Sequence, residues 1–166
     1  MNAREFLLDG FPNLENVTIF SSCFLIGKEQ RDDGLFQITN CPSIRYLEID
    51  YESFRDFKTM KLTNLSFLRS IRFGSYCFEY AREFILDDFP SLEIVKIDSD
   101  CFRNIDSNID DALFRITNCP NLRQVEIDSD SFVFFKSFEL SNVNSLQSIK
   151  FGHCCFRYAD FSLKGE

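Results

Sequence analysis

Few side chains in this 166-residue chain are equipped for covalent or metal chemistry. The only histidine, His153, stands directly before Cys154 and Cys155, and five further cysteines are scattered along the chain. No Cys-x-x-Cys pair accompanies them, so the four nitrogen and sulfur ligands of a structural zinc site are not assembled by spacing. Carboxylates form a second set. Asp50, Asp98 and Asp128 are each followed two residues later by another acid (Glu52, Asp100 and Asp130), twice as Asp-Ser-Asp. Crowded carboxylates repel one another and would attract a cation or a basic partner, yet no calcium-loop spacing surrounds them. Phosphate loops, nucleophile elbows and metal-binding helices are missing as well. The expectation is a protein without catalysis, cofactor or metal.

A third set is regular. Thr18, Glu48, Arg72, Lys96, Glu126 and Lys150 all follow the first residue of a motif Leu-x-x-Φ-x-Φ (Φ apolar) by four positions. The motif starts at Leu14, Ile44, Leu68, Leu92, Leu122 and Leu146, with gaps of 30, 24, 24, 30 and 24 residues. The order 30-24-24 sums to a super-repeat of 78, and residues 1–78 match 79–156 at 41 positions. Such identity marks an internal duplication, and self-similarity at 24–30 residues marks a stacked repeat architecture.

With the motif's first residue as position 0, apolar residues at +3 and +5 alternate with exposed ones, the pattern of a short half-buried strand. A second alternating pair at −8 and −6 (for example Phe36/Ile38 and Phe114/Ile116) reads as a second extended segment. Phe stands at +10 in every unit (Phe24, Phe54, Phe78, Phe102, Phe132, Phe156), behind a small Cys or Ser at +9. Stacked at about 4.8 Å per strand, these rings would form a continuous spine. With the −8 Phe row beside it (Phe6, Phe36, Phe84, Phe114, Phe138), that places 11 of the chain's 21 Phe without recourse to Trp, of which there is none. Proline at −2 in four units fits a turn into the next strand.

Leu-x-x-Φ-x-Φ at this period resembles the leucine-rich repeats, and the Asn-Cys-Pro-x-Leu run followed by Cys/Ser-Phe looks like their divergent, BspA-like branch. The resemblance spans the whole chain. It implies a mainly β solenoid of six to seven 24/30-residue units with parallel strands and little helix, one domain over 1–166. One departure is clear: the usual Asn at +8 is here Ser22, Glu52, Tyr76, Asp100, Asp130 and Cys154. Either the residues at +9 and −4 take over its laddering role, or the turn has another shape.

What repeats of this kind imply is protein–protein recognition through the exposed strand face. Tyr46, Glu48, Arg72, Lys96, Glu126 and Lys150 are the candidate contacts there, with neighbouring +4 residues mostly of opposite sign. Units one and four each carry six extra residues, an inserted loop whose acids Asp32, Asp33, Asp110 and Asp111 join the candidate partner-binding set. The alternative is a structural element that self-associates edge to edge. The chain starts and stops inside a unit without polar caps, which reads as a segment of a longer array with homo-association through its ends.

A formal net charge of −8 opposes nucleic-acid binding, which needs a basic patch. No apolar run approaches the ~18 residues of a membrane helix. An odd cysteine set without a leader favours free thiols in a reducing, cytoplasmic setting, or the cell surface if the chain belongs to a longer protein. Cys77 and Cys101, on adjacent units, come within disulfide reach in this scheme, whereas Cys41 and Cys119 do not.

Overall fold

The computed structural model describes residues 4–25, 34–103 and 111–165. The motif strands β2 (Asn16–Ile19), β4 (Tyr46–Ile49), β6 (Ser70–Phe73), β8 (Ile94–Ile97), β10 (Gln124–Ile127) and β12 (Ser148–Phe151) form one six-stranded parallel sheet in chain order. Behind it lie two further parallel sheets. The first joins β1 (Glu5–Asp9), β3 (Leu35–Thr39) and β5 (Thr59–Thr63); the second joins β7 (Glu83–Asp87), β9 (Leu113–Thr117), β11 (Ser137–Ser141) and β13 (Asp160–Lys164). Among the described residues there is no helix. The expected mainly β parallel solenoid is therefore present, with six units and the opening strand of a seventh.

Each strand pairs with its counterpart one unit on, at unchanged repeat position: Val17 faces Leu47, then Ile71, Val95, Val125 and Ile149. A slip of one residue would turn every +3/+5 side chain out to water, so burial of those rows sets the register. The core lies between the two strand layers.

The ring spine closes as expected. Consecutive +10 rings stack at 4.9, 5.5, 5.5, 4.8 and 5.1 Å between centroids. The −8 rings stack beside them (Phe84 on Phe114 at 4.9 Å, Phe114 on Phe138 at 4.8 Å) and meet the spine edge-on. Met60 is the one −8 residue of the six units that is not Phe. Beside it, β5 and β7 approach but do not pair, which divides the rear layer at the boundary between super-repeats.

Three positions per unit carry positive φ: −4, +8 and +10, in all six units. At −4 the residue is Gly10, Asn40, Asn64, Asp88, Asn118 or Asn142, the types that tolerate this conformation. At +10 it is always Phe, with φ between 50° and 58°. A left-handed residue costs about 1–2 kcal/mol. Full burial of a Phe returns about 1.5–3 kcal/mol, and each aromatic pair about 0.5–1.5 more, so the spine outweighs the strain of its own turns.

Candidate functional site

The six-stranded sheet turns its even positions to solvent. Tyr46, Glu48, Arg72, Lys96 and Lys150 are exposed there and Glu126 is half-buried, so the candidate residues of the strand face do share one surface. Their charges pair unevenly. Lys150 Nζ lies 2.5 Å from Glu126 Oε1, and Lys96 Nζ lies 3.8 Å from Glu126 Oε2. The Lys150 hydrogen bond, helped by both lysine charges, holds the Glu126 carboxyl below its ordinary pKa. Glu48 stands directly opposite Arg72 in register, yet Arg72 reaches away to Asp98 Oδ2 at 3.9 Å. Among the described residues Glu48 forms no ion pair.

Of the inserted-loop candidates, Asp32, Asp33 and Asp110 lie outside the described residues. Asp111 is exposed and lines a hollow of about 360 Å³ beside Lys58 and Arg82, at the unpaired edge between β5 and β7.

The face also carries two clefts that sequence reading did not single out. One, of about 260 Å³, spans the carboxyl ends of β2, β4 and β6; the other, of about 230 Å³, spans those of β8, β10 and β12. Thr18, Glu48, Asp50, Arg72 and Gly74 line the first; Lys96, Glu126, Asp128, Lys150 and Gly152 stand at the same places in the second, each 78 residues on. Ile19 and Ile49, and correspondingly Ile97 and Ile127, also line them. The glycines give the steric reason. A Cβ on Gly74 would come within 2.8 Å of the Tyr51 amide nitrogen, and one on Gly152 within 2.4 Å of the Ser129 nitrogen. The available signal was Gly at +6 in units three and six alone.

Most of the acidic turn row is occupied internally. Asp50 accepts from the Tyr51 amide at 2.8 Å and from the Ser21 hydroxyl at 2.9 Å, which holds its carboxyl below the ordinary value. Glu52 and Asp100 each bind the arginine three residues on, Arg55 at 3.1 Å and Arg103 at 2.9 Å. Among the described residues no cluster of three or more His, Cys, Asp or Glu is placed to hold a metal ion.

Two side-chain rows ladder successive units. At +9, Ser53 Oγ, Cys77 Sγ, Cys101 Sγ, Ser131 Oγ and Cys155 Sγ each donate to the +6 carbonyl of the preceding unit, at 2.9, 3.1, 3.1, 2.9 and 3.0 Å. At −4, the Asn64 amide donates to Asn40 and the Asn142 amide to Asn118, while Asn40 and Asn118 donate to Asp9 and Asp87. Cys77, Cys101 and Cys155 thus act as hydrogen-bonding spacers between units, and all seven cysteines are free thiols, Cys77 and Cys101 included. Burial pushes the Cys119 thiol up to about 11 and raises the Cys101 thiol as well. Comparison with protein-family models, curated proteins and solved structures finds no match for this chain.

Proposed function

We propose that this chain is a divergent leucine-rich-repeat module that binds a protein partner through the exposed face of its six-stranded sheet. The observation that carries the reading is the duplicated pair of clefts on that face. Both are lined by charged side chains over apolar residues, and both lie three strands wide on the same sheet. Three strands separate equivalent points, about 14 Å at the parallel-strand spacing. That is the span of four residues of an extended chain, so a segment crossing the strands can address both clefts. Exposed Tyr46 and Ile94 add apolar contact on the same surface, in keeping with the aromatic enrichment of protein interfaces. No step of catalysis enters this reading.

The test compares faces. Glu48→Ala with Lys150→Ala should abolish capture of whichever partner the intact chain retains, whereas Lys61→Ala with Arg115→Ala on the rear layer should leave it unchanged. Equal loss from both pairs, or from neither, removes the strand face as the binding surface.

A further inference from the structure

The two clefts are copies that have diverged at few places, and the difference between them identifies a ligand. In the second, the Glu126 carboxylate carries an ammonium on each oxygen, Lys150 at 2.5 Å and Lys96 at 3.8 Å. In the first, Thr18 replaces Lys96, and Arg72, the counterpart of Lys150, is directed to Asp98 at 3.9 Å. Glu48 therefore keeps the position of Glu126 and has neither cation among the described residues. A third change accompanies these. Where the second cleft has Asp98, the first has Phe20, 74% exposed at the rim. A side chain lying over Phe20 and Ile19 would meet apolar surface along its length and a carboxylate at its end.

We infer that the first cleft is a receptor for a lysine side chain on an extended segment of the protein partner, with the ligand's ammonium on Glu48 standing where Lys96 stands against Glu126. The second cleft holds the same interaction intramolecularly and so takes no lysine at that position. The aliphatic stem of lysine suits an aromatic rim with an acidic end, because the stem can remain against apolar surface while the charge stays at the water boundary. A single exposed pair of this kind contributes little. One lysine therefore binds weakly alone and gains from the rest of the segment. This inference rests on the strand face being the protein-binding surface.

The experiment titrates the whole chain with Nα-acetyl-lysine N-methylamide at constant ionic strength and follows backbone amides by NMR. Nα-acetyl-norleucine N-methylamide, the same stem without charge, is the control. Concentration-dependent shifts are expected at Ile49, Asp50 and Gly74, with little change at Ile127, Asp128 and Gly152, and the norleucine analogue should not reproduce them. Thr18→Lys should erase the response by filling the cleft from within. Lys96→Thr with Lys150→Thr, which removes both cations from Glu126, should create a second response at Gly152. All three positions are exposed, so folding is preserved and each amide spectrum verifies it. No shift, equal shifts with norleucine, or a second cleft that stays silent after both lysines are removed overturns the inference. If the lysine probe fails while the strand-face variants still abolish partner capture, the face remains the interface and the lysine pocket alone is lost.

Discussion

Asn118 does two things at one position. Its backbone adopts φ 53°, and its side-chain amide donates to Asp87 while its carbonyl receives Asn142. Substitution separates the two. Asn118→Gly keeps the turn and loses the ladder, worth about 0.5–1.5 kcal/mol per hydrogen bond. Asn118→Ala loses the ladder and adds a left-handed penalty of about 1–2 kcal/mol. The urea midpoint should therefore fall further for alanine than for glycine, and the reverse order would refute the assignment of roles. The acids that anchor these ladders make stability depend on pH. Asp9 accepts from Thr39 and Asn40, and Asp87 from Thr117 and Asn118, and these bonds hold both carboxyls below their ordinary pKa. A carboxyl depressed in the folded state binds its proton more readily when unfolded. Its contribution is thus complete above the ordinary value of about 4 and is lost as pH falls through the lower folded value. Thermal melts between neutral pH and pH 2 should show that decline, and it should be shallower in Asp9→Asn with Asp87→Asn.

Among the elements, the phenylalanine spine runs the length of the core, and its consequences depend on place in the stack. Phe102 is fully buried between Phe78 and Phe132 and meets Phe84 edge-on at 5.5 Å. Phe24 is half-buried and has a spine neighbour on one side, Phe54. Phe102→Ala should cost about 3–5 kcal/mol, the usual range for an aromatic removed from a packed core. Phe24→Ala should cost clearly less, since less of its ring surface leaves water on folding. Equal losses in chemical denaturation would show that the layers do not behave as nearest-neighbour units. The break between β5 and β7 belongs to this scale too. Strand β9, paired on both sides, should protect its amides from hydrogen exchange better than β5 or β7.

For the molecule as a whole, thiol accessibility reports the packing in one measurement. Cys41, Cys77, Cys101 and Cys119 are fully buried, whereas Cys23, Cys154 and Cys155 are half-buried. Alkylation of the native protein at neutral pH should mark Cys154 before Cys155, whose thiol burial raises above its ordinary pKa, and should spare the four buried thiols until urea unfolds the chain. Early labelling of Cys101 would contradict the layered core. Most of this architecture was legible in the order of residues, because a parallel solenoid is nearly one-dimensional: position within a 24- or 30-residue unit dictates which side of the strand a residue occupies, and the next unit supplies its neighbour. The six parallel motif strands, the Phe spine, the inward +9 row and the common surface of Tyr46, Glu48, Arg72, Lys96, Glu126 and Lys150 all follow from period and alternation. What the order of residues did not determine depends on distances across units. The charge pattern paired Glu48 with Arg72, but an arginine side chain is long enough to choose Asp98 instead. The left-handed turns at +8 and +10, the thiol-to-carbonyl ladder, the division between β5 and β7 and the clefts beside Gly74 and Gly152 arise where backbones of successive units approach. Those approaches are set by tertiary packing, which the period of a sequence does not encode.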